Sequence, residues 1–284
     1  MVQLIFKGTR FKPLLREFLG QFKREVKVAC TPIPKHKKWV FLVGCYNSGT
    51  TLLSELLSQH PEISALSTEG HFITDQFVKD YDIGLPRMWV DREDIFCLNE
   101  NDEGPDVIRL KKEWAMRLDL SKPVLLEKSP PNSSKTRWLQ KNFENAYFVG
   151  IVRNGYAVAE GISRKANPKH LINSWPIEKS AHQWARSNEI LEKDSKHLER
   201  FLWVSYEDLT DDISATLQKI TDFVGIKDFE DLNSEKRWSI HERDEKIRNM
   251  NEESISRLSS EKIDIINNIA KKMLTHFGYS KITD

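Results

Sequence analysis

Residues Gly44 to Thr51 read Gly-Cys-Tyr-Asn-Ser-Gly-Thr-Thr, with two glycines and two threonine hydroxyls spaced as in a phosphate-binding loop. The apolar run Trp39-Val40-Phe41-Leu42-Val43 precedes them, and Leu52, Leu53, Leu56 and Leu57 follow at helical spacing, which predicts strand, glycine turn and helix. Such a turn is an anion cradle. Its N–H groups and those of the first helical turn have no intrahelical acceptor, and the helix dipole adds partial positive charge. Loops of the form G-x-x-x-x-G-K-[ST] add a lysine for the β- and γ-phosphates of a triphosphate and a hydroxyl for magnesium. Here Thr50 stands at the lysine position. A loop that keeps its glycines and hydroxyls without the lysine suits a donor with one phosphate-like anion and no metal, which describes a phosphosulfate better than a triphosphate.

Three further segments follow in order: Leu126-Glu127-Lys128-Ser129-Pro130, Val152-Arg153-Asn154-Gly155-Tyr156 and Ser205-Tyr206-Glu207-Asp208-Leu209. Together with the loop they resemble the sulfotransferases that use 3′-phosphoadenosine 5′-phosphosulfate (PAPS), over about Lys38 to Gly225 and most nearly in the tyrosylprotein and carbohydrate branch. The resemblance implies that Asn47, Ser48, Gly49, Thr50, Thr51 and Leu52 form the donor loop, with backbone amides and both threonine hydroxyls on the 5′-phosphosulfate. It implies that Arg153 meets the 3′-phosphate, for which a guanidinium fork is well shaped, and that Tyr206 walls the adenine. It further implies a glutamate base at Glu69, after the pair His60-Pro61, and a lysine facing the transferring group at Lys128. His71, whose side chain ordinarily titrates near neutrality, is the competing base. The plainer readings are a surface ion pair for Arg153, a core aromatic for Tyr206, and solvated loop side chains for Glu69 and His71.

Two positions depart from the pattern. The family usually has Lys or Arg just before the loop serine, and this chain has Asn47, which can donate a hydrogen bond but brings no charge. Losing one preorganised donor costs on the order of 10² to 10³ in rate, so either Lys128 carries the charge stabilisation, or the enzyme is slow, or the protein binds nucleotide without turnover. The family often has serine eight residues after the strand arginine, and here that position is Gly161, which leaves Ser163 or Arg164 to replace it.

Strands that end together must position these groups. Short apolar runs at 124–126, 146–152 and 201–204 read as strands covered on both faces, and helical patterns lie at about 106–118, 134–142, 156–164, 177–198 and 213–224. The alternation predicts an α/β fold with a mostly parallel central sheet flanked by helices. In such sheets ligands bind at the carboxyl ends of the strands, where the loop after Val43, Lys128 and Arg153 emerge. The tail from Asn251 to Phe277 reads as two helices broken near Ser259-Ser260. Residues 80–108 are acidic with little periodicity and read as an irregular insertion over a substrate site.

Thr31-Pro32-Ile33-Pro34 separates a leader, residues 1–38, from a single domain over 39–284. The leader holds ten Lys or Arg against Glu17 and Glu25, a net charge of +8 in a chain of net +1. Phe11, Leu14, Leu15, Phe18, Leu19 and Phe22 recur at helix-like spacing. One reading is peripheral contact with an anionic membrane or acidic polymer, and the other is a solvated helix packed on the main domain by its apolar face. No stretch approaches the roughly 18 apolar residues of a membrane span. The three cysteines, Cys30, Cys45 and Cys97, share no CxxC spacing and no secretory signal precedes them, so a disulfide or zinc framework is not expected and the cytoplasm is.

The reading is a sulfotransferase that moves a sulfuryl group from PAPS to a hydroxyl by in-line attack, without metal and without a nucleic-acid partner, and releases adenosine 3′,5′-bisphosphate (PAP). A P-loop kinase or NTPase is the first rival, disfavoured by Thr50 and by the lack of an aspartate ending a core strand to hold magnesium. A non-catalytic nucleotide-binding scaffold is the second, kept open by Asn47 and Gly161. Sugar hydroxyl, phenol, lipid headgroup and tyrosyl peptide are all open as acceptors. With Trp89, Trp114 and Trp175 as candidate lining residues, a carbohydrate or glycolipid is favoured.

Overall fold

The apolar runs pair as five parallel strands, β1 Lys38–Gly44, β2 Ile63–Ala65, β3 Val124–Lys128, β4 Ala146–Val152 and β5 Phe201–Ser205, in the order β2-β3-β1-β4-β5. The computed structural model describes residues 11–165, 174–230, 238–240, 243–245 and 247–283. Helix α1 Phe11–Cys30 precedes the sheet, and α2 Thr50–Leu57 and α3 Gly70–Ile73 follow β1 and β2. Before β3 come α4 Glu93–Phe96 and α5 Val107–Ala115, and after it α6 Thr136–Asn142. Helices α7 Gly155–Arg164 and α8 Ile177–Ser195 connect β4 to β5, which runs into α9 Tyr206–Asp211 and α10 Ile213–Val224. An antiparallel pair, β6 Trp238–Ile240 and β7 Arg243–Glu245, precedes α11 Asn251–Ile255 and α12 Ser260–His276. The α/β class and the two-helix tail match the expectation, whereas β2, α9 and the β6–β7 pair were not foreseen. At three residues, β2 is too short to show a period.

Central β1 explains why its sequence is apolar without alternation. Val40 and Leu42 pack with Leu53, Leu56, Leu209 and Leu217 on one face. Trp39, Phe41 and Val43 pack with Trp114, Trp138 and Phe148 on the other. With a helix layer on each side, both faces are buried. The strands point their carboxyl ends the same way, so the residues after Gly44, Lys128, Val152 and Ser205 emerge at one edge.

Residues 80–108 are more than a cover. Met88, Trp89, Val90 and Phe96 are buried in a core shared with α7, α8 and α12, while Tyr81 and Arg87 reach the cleft at the strand ends. Helix α1 also departs from one of its two readings. Phe18, Leu19, Phe22 and Val26 are exposed, so these residues do not pack on the body. Polar contacts, with the buried Val28, hold the second half of α1 instead. Arg109 clasps Glu25 with two bonds of 2.8 Å, and Arg24 reaches Glu113 at 2.8 Å. Residues 1–10 of the leader lie outside the described residues, and no described helix is long and apolar enough to cross a membrane.

Candidate active site

The cradle forms where β1 turns into α2. A Cβ at Gly44 would overlap the Ile151 carbonyl oxygen of neighbouring β4, so glycine is needed to leave the sheet. Asn47 (φ 62°) and Gly49 (φ 96°) both take the left-handed conformation, which curls the backbone around Ser48. Asparagine tolerates this region better than most residues. Gly49 is also the N-cap of α2 and offers no side-chain cap, which leaves the first-turn N–H groups free for an anion. The Ser48 hydroxyl and Asn47 Nδ2 are buried without a protein partner. Buried polar groups are normally paired, so these donors fit an anionic ligand lying in the loop.

Arg153, one residue past β4, stands beside the cradle. Its Nε donates to Asn251 Oδ1 at 2.8 Å, its Nη1 donates to the Asn47 carbonyl at 3.1 Å, and its Nη2 is buried without a protein partner. Its guanidinium lies 4.0 Å from the Tyr206 ring centroid, and desolvation lowers its pKa. A cation so buried, with one donor unspent, fits a phosphate dianion.

Opposite, β3 delivers Lys128 and the N-terminus of α3 delivers Glu69. Lys128 Nζ donates to Glu69 Oε1 at 2.9 Å and approaches Thr51 Oγ1 at 3.3 Å, so cation, carboxylate and loop are linked. Beneath them Glu127 is fully buried. Its carboxylate accepts the Gly70 N–H at 2.9 Å, Asn132 Nδ2 at 2.7 Å and the Ser129 hydroxyl, and burial raises its pKa to about 7. Because Ser129 donates to Glu127, its oxygen is free to accept from His71 Nδ1, 3.1 Å away. His71 corrects the expectation of a near-neutral base. Burial first, and then Lys135, Lys128 and Lys79, lower its pKa to about 3, so it stays a neutral member of the network that holds Glu69 in place.

Asn47, Gly49, Thr50, Thr51, Glu69 and Arg153 line one cavity of about 840 Å³. Residues 40–231, well over half of the chain, match the model of the sulfotransferase family. The chain belongs to the sulfotransferase family. Among solved structures it resembles the sulfotransferase STF9 from Mycobacterium avium, at 15% identity and a TM-score of 0.57, over 92% of this chain and 81% of that one. The sulfotransferase domain from the curacin biosynthetic pathway is 18% identical with a TM-score of 0.50, over 87% and 99% of the two chains. STF1 from Mycobacterium tuberculosis is 14% identical with a TM-score of 0.50, over 74% and 72%. At these identities the likeness is one of fold. No curated protein matches the sequence.

In this sulfotransferase several expected site residues have other work. Ser163 is spent on Trp175, whose carbonyl accepts its hydroxyl at 2.6 Å, so it does not replace the serine missing at Gly161. Arg164 lines the cavity while paired with Glu160 at 2.6 Å. Tyr206 lines the cavity, is 5% exposed and packs against both Gly49 and Arg153. Trp89, Trp114 and Trp175 are buried and line no part of the cavity, which corrects their reading as acceptor walls. Trp114 and Trp175 brace the site from behind, donating to the Gly70 carbonyl at 3.0 Å and the Pro86 carbonyl at 2.8 Å.

Gly161 lies against Asn47. A Cβ there would sit 3.4 Å from Asn47 Cγ and Nδ2, so the two departures from the family pattern are neighbours. Sequence reasoning missed Arg87, Lys165, Arg248 and Arg257 as cavity residues. None belongs to a recognised motif, and only their shared positive charge could have singled them out.

Proposed function

We propose that this sulfotransferase takes PAPS as donor and transfers its sulfuryl group to a hydroxyl, with a carbohydrate or glycolipid as the acceptor class. The observation that carries the reading is the unspent Arg153 Nη2 beside a cradle whose Ser48 hydroxyl and Asn47 Nδ2 are also unpaired. A 3′-phosphate on Arg153 and a 5′-phosphosulfate in the loop from Ser48 to Leu52 would satisfy both. Glu69 is placed to take the acceptor proton, and Lys128, between Glu69 and Thr51, to hold the transferring group. For the acceptor, Phe72 is 42% exposed near Glu69, with Tyr81 edge-on at 5.9 Å, an apolar face that suits a sugar ring or lipid chain. Radiolabelled PAPS offered with a panel of glycans, glycolipids, phenols and tyrosyl peptides tests this reading. Label on a sugar hydroxyl supports it, transfer only to phenols or peptides overturns the acceptor class, and no PAP binding overturns the donor.

We infer also that residues 39–284 form one domain and residues 1–38 an appendage that contacts anionic membranes. Support comes from the exposed stripe Phe18, Leu19, Phe22 and Val26 on a helix with five Lys or Arg against two Glu. Cosedimentation with phosphatidylserine vesicles, lost in Phe18→Ser/Phe22→Ser, is the expected outcome. Equal sedimentation of that variant and the wild type would overturn it.

A further inference from the structure

Asn47 removes the cation that the family pattern places before the loop serine, and a second chain segment brings one to the same spot. Arg87 Nη1 lies 3.5 Å from Asn47 Oδ1, and Arg87 lines the cavity with Thr50, Thr51, Glu69 and Arg153. The position is built. Asp80 is buried and accepts the Tyr46 hydroxyl at 2.7 Å and the Arg87 backbone N–H at 2.6 Å, which ties the 80–87 segment to the residue just before Asn47. Trp175 holds the Pro86 carbonyl at 2.8 Å from the other side. Arg87 itself sits at φ 65°, a left-handed conformation that a non-glycine residue keeps only where its surroundings impose it.

Several nearby cations are less free. Lys128, beside the cavity, is paired with Glu69 at 2.9 Å, and of the cations that line it Arg164 is paired with Glu160 at 2.6 Å and Arg248 with Glu253 at 3.1 Å. Among the described residues no carboxylate lies within ion-pair distance of Arg87. Gly161 lies against the Asn47 amide, where an added Cβ would stand in van der Waals contact, 3.4 Å from Asn47 Cγ and Nδ2.

We propose that Arg87 is the catalytic cation of this sulfotransferase, replacing from the 80–87 segment the charge that Asn47 lacks, with the Asn47 amide oxygen orienting its guanidinium. The inference rests on the PAPS reading above. As the acceptor oxygen bonds to sulfur, its proton passes to Glu69 and the sulfur–oxygen bond to the 5′-phosphate breaks. The phosphate keeps the electron pair, and Arg87 stabilises the negative charge that PAP gains.

The test moves the charge back. Arg87→Met, Asn47→Lys and the double variant are compared for kcat in sulfuryl transfer, with PAP affinity measured by calorimetry and folding by thermal melting. Arg87→Met is expected to lower kcat roughly 10²- to 10³-fold while PAP affinity changes far less, because the charge it meets develops in the transition state. Asn47→Lys in that background is expected to restore most of the loss. An Arg87→Met enzyme with wild-type kcat, or a loss that Asn47→Lys leaves unrepaired, overturns the proposal. Should Arg87→Met fail to fold, Arg87→Gln is read with guanidinium ion added below denaturing concentrations; recovery of kcat supports the role and no recovery overturns it. A wild type that binds no PAP overturns the donor reading and this inference together, whereas an active wild type with an equally active Arg87→Met overturns this inference alone.

Discussion

Lys128 Nζ sits 2.9 Å from Glu69 Oε1 and 3.3 Å from Thr51 Oγ1, so one ammonium joins the Glu69 carboxylate to the glycine loop. In the proposed roles Glu69 meets the acceptor and the glycine loop meets the nucleotide, which separates its effect on transfer from any effect on donor binding. Glu69→Gln is therefore expected to abolish transfer with PAP affinity nearly unchanged. Lys128→Met should lower kcat on the order of 10²-fold, the cost of one preorganised donor. Steady-state kinetics beside PAP calorimetry checks both, and full activity in Glu69→Gln would remove it as the base.

Arg153 makes a second, separable prediction. Truncating it to alanine removes a charged hydrogen bond worth about 1.5–3 kcal/mol, or roughly 10- to 100-fold in PAP affinity. An analogue without the 3′-phosphate should lose far less. Asn251→Ala, which removes the 2.8 Å bond orienting the guanidinium together with the 2.6 Å bond from Asn251 Nδ2 to Glu207, should show the same selectivity at smaller size. Equal weakening of both ligands by Arg153→Ala would make this arginine structural.

Gly49 and Gly84 both have positive φ, of 96° and 74°, but differ in their surroundings. A Cβ on Gly49 would lie 2.7 Å from Tyr206 Cδ2, whereas a Cβ on Gly84 meets nothing within 4 Å. Gly84→Ala should cost about 1 kcal/mol for backbone conformation alone. Gly49→Ala should cost about 1–3 kcal/mol and displace the cradle as well. Urea unfolding and PAP binding of the two variants measure the difference, and equal losses would mean that the Tyr206 contact gives way freely.

Glu127 predicts a pH dependence of definite sign. Its pKa is raised by burial from 4.5 to about 7 in the folded chain, so between these values the native state binds more proton than the unfolded state. Its contribution to stability is present in full below pH 4.5 and is lost as pH rises towards 7. His71, lowered from 6.5 to about 3, acts in the opposite sense, with stability lost as pH falls through that window. Glu127→Gln removes only the first effect. Relative to wild type it should gain stability between pH 5 and pH 7.5 in urea titrations, and a difference that is flat with pH would show that Glu127 titrates normally.

What the amino-acid order alone determined is local. The spacing of Gly44, Gly49, Thr50 and Thr51 after an apolar run, and the abrupt ends of runs at Lys128 and Arg153, depend on residues close in sequence, so the fold class and the strand–glycine turn–helix were both legible. Tertiary structure alone decided which side chains share a space. The burial of Trp89, Trp114 and Trp175 is set by which helix face meets the sheet, and an amphipathic stripe does not say which neighbour covers it. The same holds for His71, whose basicity is removed by burial and three lysines. It holds most for Arg87, which no motif marks. Its place beside Asn47 exists because Asp80 bonds both Tyr46 and the Arg87 backbone across a long loop, and contacts between residues far apart in sequence form only when the chain closes on itself.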